Sequence, residues 1–142
     1  MSPSAIILPM AAMVLLTFAL ALNTLRRRSA AVKAGHIRFS RFRAMQGGGD
    51  IPEPVAVAER AFHNALEVPP LFYAGCIAAL ALGAVTPALL ALAWAFVAAR
   101  LVQAGIHLTY NNVMHRLYAF MAGWLALLAL WCLLALRAVQ GI

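Results

Sequence analysis

The sequence predicts an all-α membrane protein, a single domain built as a bundle of four transmembrane helices. Three observations carry that expectation. The 142 residues are 65% hydrophobic and 11% charged, with a mean hydropathy of +0.88. That is more apolar surface than a soluble domain of this size can bury. Four apolar stretches, at about 5–25, 55–82, 88–110 and 116–139, are each long enough to cross about 30 Å of hydrocarbon at about 1.5 Å per residue. Leu and Ala dominate them without period-two alternation, which argues against strands.

The first span, 5–25, has no charged residue, and Pro9 lies near its start, where a missing N–H costs little. Ala19-Leu20-Ala21 resembles a signal-peptide cleavage site, but a signal peptide carries its positive charge in front of the apolar run. Here Arg26, Arg27 and Arg28 follow it, so the reading is a retained span with its N-terminus outside. The segment 26–54 is basic and is expected in the cytoplasm. From Arg26 to Arg43 it holds seven of the eleven Lys and Arg residues (Arg26, Arg27, Arg28, Lys33, Arg38, Arg41, Arg43). These charges read as topology determinants and contacts to anionic lipid heads rather than a nucleic-acid arm. Ala30, Ala31, Val32 and Ala34 suit a helical extension of the first span. Gly47, Gly48 and Gly49 then break it; without a following Lys-Ser/Thr they read as a turn, not a phosphate loop.

The second span, 55–82, contains Pro69 and Pro70, which remove two donors and bend the helix. Gly83 to Pro87 form an uncharged turn to the third span, 88–110, and 111–115 turn into the fourth, 116–139. The charge bias places both termini on the non-cytoplasmic side. Cys76 and Cys132 fall inside spans and read as packing thiols rather than a disulfide or a zinc site. No other spacing of His, Cys, Asp and Glu makes a metal site.

Polar residues sit where the spans should be apolar. Arg60, His63, Asn64 and Glu67 lie three, four and seven apart and so share one helix face. Arg100, Gln103, His107 and Tyr110 do the same on the third span, and Arg116 opens the fourth at the same depth. Arg38 follows the first span and lies near the same level. Ionisable groups inside a span are costly and need partners. Arg60, Arg100 and Arg116 face one intramembrane carboxylate, Glu67, while Glu59 lies one position off the stripe. The competing reading is that these groups pair with one another and join helices. Three guanidinium groups against one carboxylate leave a deficit that an anionic ligand with carboxylates fills. Arg binds carboxylates in bidentate fashion. Glu67 then suits an ammonium group and Asn64 a peptide backbone.

At these residues the chain resembles the MAPEG family, membrane-associated proteins in eicosanoid and glutathione metabolism. Glu59-Arg60-Ala61-Phe62-His63-Asn64-Ala65-Leu66-Glu67-Val68-Pro69 is similar to the family's second-span signature, an Arg followed by Asn and then Glu before a proline-containing stretch. Gly48-Gly49-Asp50 is similar to the loop of bacterial members, and Arg100 and Arg116 fall where the family keeps arginines. The resemblance implies a homotrimer of four-helix protomers with a glutathione site between neighbours on the cytoplasmic side. Carried over onto this sequence, Arg60, Asn64, Glu67, Arg100 and Arg116 would bind glutathione, with Arg116 stabilising its thiolate and Arg38 as the first-helix arginine; His63, His107 and Tyr110 join the expected glutathione-binding set from the polar stripes. Arg28 is the rival of Arg38 for the first-helix position. His63 stands where many members have a second arginine, and His107 where transferases usually have tyrosine. Leu117 and Phe120 replace polar residues seen in some eicosanoid enzymes, so prostaglandin or leukotriene synthesis is not expected. The implied setting is a bacterial inner membrane.

Two functions of different class follow. One is a glutathione-dependent transferase or peroxidase acting on lipophilic electrophiles that enter from the bilayer. The other is a non-catalytic membrane subunit or scaffold that keeps the fold and partners another membrane protein. A small transporter or lipid-binding protein is a third.

Overall fold

A computed structural model describes residues 2–37 and 51–141 of the chain. Among these residues every regular element is helical. After a 3-10 turn, Pro3–Ile6, α1 runs over Ile7–Lys33. Then come α2 (Glu53–Glu67), α3 (Pro69–Ala81), α4 (Pro87–Leu108) and α5 (Val113–Val139). Four stretches, Pro3–Lys33, Glu53–Ala81, Pro87–Leu108 and Val113–Val139, are long and apolar enough to cross a membrane. The protein is an integral membrane protein, and large apolar side chains such as Leu8, Leu15, Phe18, Leu125 and Leu128 face outward.

Local chemistry sets the element ends. The first helix does not stop at residue 25 but continues through the arginines to Lys33, because the Ala-rich sequence beyond them favours helix. The second stretch is two helices rather than one bent helix, with the break at Val68. Pro69 and Pro70 have no N–H to offer the carbonyls of Ala65 and Leu66, and the Leu71 N–H turns instead to the Val68 carbonyl at 3.1 Å. After α3 the chain reverses at Gly83, whose φ of 63° lies in the left-handed region. Thr86 caps α4 by accepting from the Leu89 N–H at 3.2 Å, with Pro87 opening the helix. Asn112 accepts from the Met114 and His115 N–H groups at 3.0 and 3.1 Å, so α5 begins at Val113, ahead of the expected Arg116.

α4 and α5 pair most extensively, and α1 with α2 next; α2 and α1 both lie against α4, and α3 against α5. The packing is uneven along the bundle. At the end holding the chain's first residues, large side chains fill the core: Phe72 stacks on Phe96 with ring centroids 4.6 Å apart, among Met13, Cys76, Leu89 and Leu130. Toward the other end, which carries Arg26, Arg27 and Arg28, the core breaks into two small clusters, Leu20 with Ala61 and Ala65, and Ala31 with Ile37 and Val55. Small residues let the helices approach and leave room for polar groups. The space that a core would occupy there is given to the polar stripes.

Candidate functional site

α2 turns one face to a cleft of about 390 Å³. Glu59, Arg60, His63, Asn64 and Glu67 line it from α2, His107 from α4 and Arg116 from α5. The second-span stripe therefore faces one space as its spacing requires. Arg60 has no hydrogen bond or ion pair among the described residues. Arg116 is oriented by one neutral acceptor, the Asn111 Oδ1, to which it donates through Nη1 at 2.9 Å.

Arg100 is placed differently. It is buried, and it does not line this cleft. Its Nη1 donates to the Gln103 Oε1 at 2.7 Å, and its Nη2 donates to the backbone carbonyl of Asn64. Phe120 lies beneath the guanidinium, 5.9 Å from ring centroid to Cζ. The side chain thus ties α4 to the last turn of α2, one turn before the proline break. The excess of three arginines over one carboxylate is smaller than the sequence suggests, because protein acceptors already satisfy this one. Arg60 and Arg116 keep their donors at the cleft.

Glu59, one position off the stripe by sequence, faces the same cleft and pairs with Arg28 Nε at 2.8 Å. That ion pair bridges α1 and α2 across 31 residues, a partnership that spacing along one helix cannot reveal. Thr24 is a second missed link: its buried hydroxyl donates to the Leu20 carbonyl at 2.9 Å and toward the Ala58 carbonyl of α2 at 3.1 Å.

Tyr110 does not continue the stripe of the third span. α4 ends at Leu108, and Asn111 takes a left-handed φ of 47°, so the residue is carried off the helical face. Its ring is exposed and its hydroxyl meets the His115 Nδ1 at 3.1 Å. Arg38, the expected first-helix residue, lies outside the described residues.

His107 is the most unusual member. It is 2% exposed, and its Nε2 has no hydrogen-bond partner among the described residues. An unpaired buried polar nitrogen costs about 1–3 kcal/mol. A group that lines a cleft and lacks a partner is ready to receive one. Taken together, the cleft offers two uncommitted or singly held guanidinium groups, two carboxylates (Glu67, and Glu59 already paired with Arg28), a carboxamide and two imidazoles. That set suits a small molecule bearing carboxylates, an amide backbone and an ammonium group.

The model of the MAPEG family matches residues 6–136, nearly the whole chain. No curated protein and no solved structure matches it.

Proposed function

Since the chain belongs to the MAPEG family, whose members act in membrane glutathione and eicosanoid metabolism, we propose that it is a glutathione-dependent transferase or peroxidase for lipophilic electrophiles. One observation carries the reading: Arg60, His63, Asn64, Glu67, His107 and Arg116 surround one open cleft. Arg60 takes a glutathione carboxylate through its fork of donors, Glu67 the γ-glutamyl ammonium, and Asn64 a peptide group. Arg100 acts through α2, holding the turn that carries Asn64. Arg38 and Tyr110 stay in the proposed glutathione-binding set on the sequence reading alone.

Arg116 stabilises the thiolate. A free thiol has a pKa near ~8.5 and is mostly protonated at neutral pH; an adjacent guanidinium favours the ionised form. In the transferase reaction the thiolate forms an S–C bond to an electrophilic carbon, and the electron pair leaves with the displaced group. In the peroxidase reaction it attacks the O–O bond and gives an alcohol and a sulfenic acid; a second glutathione converts the latter to disulfide and water. Neither route needs a covalent enzyme intermediate. The cleft is open on one side, and the reading completes it with a neighbouring protomer of a homotrimer in a bacterial inner membrane, both termini on the non-cytoplasmic face.

The experiment is a titration of the purified protein with glutathione. Thiolate absorbance at the ultraviolet edge should appear in the wild type and vanish in Arg116→Ala, together with turnover of an activated aryl halide and of an organic hydroperoxide. Saturable binding without thiolate or turnover assigns the chain to the non-catalytic subunits, a reading favoured by His63, His107 and Leu117, where the sequence departs from the family's pattern. Absence of binding removes the glutathione reading altogether.

A further inference from the structure

A second cleft, of about 280 Å³, adjoins the first along α2, with His107 forming part of both walls. Asn23 and Arg27 of α1, Glu53 of α2, and Thr109 and Asn111 of the α4–α5 turn also line it. None of these residues enters the glutathione reading except His107. Three features of this cleft bear on what it could hold. Arg27 and Glu53, both exposed at the mouth, carry opposite charges, line one space, and have neither an ion pair with each other nor any other partner among the described residues. Opposite charges brought to one cavity without meeting are placed to receive the two ends of a zwitterion. His107, whose Nε2 is buried and has no partner among the described residues, lines this cleft as well as the first. The cleft also lies where α2 begins and α4 ends, at the border of two spans, the depth of lipid headgroups.

We propose that this cleft is a binding site for a phosphate ester carrying a primary ammonium group, the chemistry of an ethanolamine phospholipid headgroup. The Arg27 guanidinium takes two phosphate oxygens, and the His107 Nε2–H donates to another. Glu53 accepts hydrogen bonds from the ammonium. A quaternary amine has no N–H to give it, and a glycerol headgroup no cation. The cleft volume lies just under the ~300–1,000 Å³ of pockets that enclose drug-sized ligands. It fits a headgroup, leaving acyl chains to the apolar surface outside.

The test uses the full chain in detergent with mixed phosphatidylethanolamine, phosphatidylcholine and phosphatidylglycerol, and counts retained lipids by native mass spectrometry. Phosphatidylethanolamine should be retained about tenfold over the other two, as expected for one charge-assisted hydrogen-bonded contact. Glu53→Gln should abolish that preference, and Arg27→Gln should lower retention of all three. Both variants should keep the size-exclusion profile and the glutathione thiolate absorbance of the wild type. Neither variant touches the shared His107, so these readouts separate the two proposals. Displacement of the lipid by O-phosphoethanolamine would assign the headgroup alone as sufficient; resistance to it would assign the intact lipid. Equal retention of the three lipids, or a preference that survives Glu53→Gln, overturns the site.

Discussion

The arginines of this chain divide by what their donors already hold. Arg100 gives one nitrogen to a side-chain amide and another to a backbone carbonyl on a neighbouring helix. A lysine offers three donors from one point on a flexible stem and cannot span both acceptors as the planar fork does. Arg100→Met leaves the buried Gln103 Oε1 and the part-buried Asn64 carbonyl without this donor, at about 1–3 kcal/mol each when unsatisfied. The expected outcome is a loss of roughly 2–4 kcal/mol in reversible unfolding from mixed micelles, with weaker glutathione binding as a consequence. Arg116→Ala behaves in the opposite way. Its single hydrogen-bond partner, the part-buried Asn111 side chain, is neutral, so stability should change by less than ~1 kcal/mol while the thiolate signal is lost. Equal destabilisation by both variants would mean that Arg116 serves the fold. The sequence could not separate the two roles. Spacing shows that two arginines lie at one depth, but a backbone carbonyl as partner leaves no mark in residue identities. His107 poses the same difficulty, since only burial reveals that its Nε2 has nothing to bind.

At the scale of elements, the stripe on α2 was legible because Arg60, His63, Asn64 and Glu67 lie within one helix, where spacing fixes the face. The proline pair likewise announced a bend, though not that Val68 ends one helix and starts another. Tyr110 was misplaced by extending helical periodicity past Leu108. Asn111 and Asn112 were the available warning: Asn tolerates left-handed φ and caps a following helix. Links between α1 and α2 were invisible, because Arg28 with Glu59, and Thr24 with Ala58, join residues more than 30 apart. They are unequal in expected worth. The Thr24 contact is buried, and Thr24→Val, which keeps the shape, should cost about 0.6 kcal/mol, typical of hydrogen bonds between helices in membranes. The Arg28–Glu59 pair is partly exposed, with side chains 37% and 21% accessible, so Glu59→Gln should cost ~0–1 kcal/mol and less in high salt. Denaturation of the two variants at low and high ionic strength checks the ranking. A larger, salt-insensitive loss in Glu59→Gln would show that the carboxylate carries more than this rim contact.

At the scale of the whole molecule, large apolar side chains pack one end of the bundle, and small residues with charged side chains occupy the other. Such a division localises the cost of the site. The packed end keeps the helices together while the polar end holds a buried nitrogen, the His107 Nε2, with no partner among the described residues. A ligand that binds the folded state alone therefore adds stability by mass action, about 2.7 kcal/mol at a hundredfold excess over its dissociation constant. Under the proposed function, glutathione should raise the unfolding midpoint in a saturable way, and Arg60→Ala should remove the increment. The same measurement reaches the proposed trimer. The cleft is open to one side of the protomer, and a site completed by a neighbour binds only where the neighbour is present. Across detergents of increasing harshness, the glutathione increment should fall in step with the trimer fraction measured by analytical ultracentrifugation. If monomers in the harshest detergent still gain the full increment while keeping their helical content, the neighbouring protomer contributes nothing to binding. The site would then be the single-chain cleft between α2, α4 and α5.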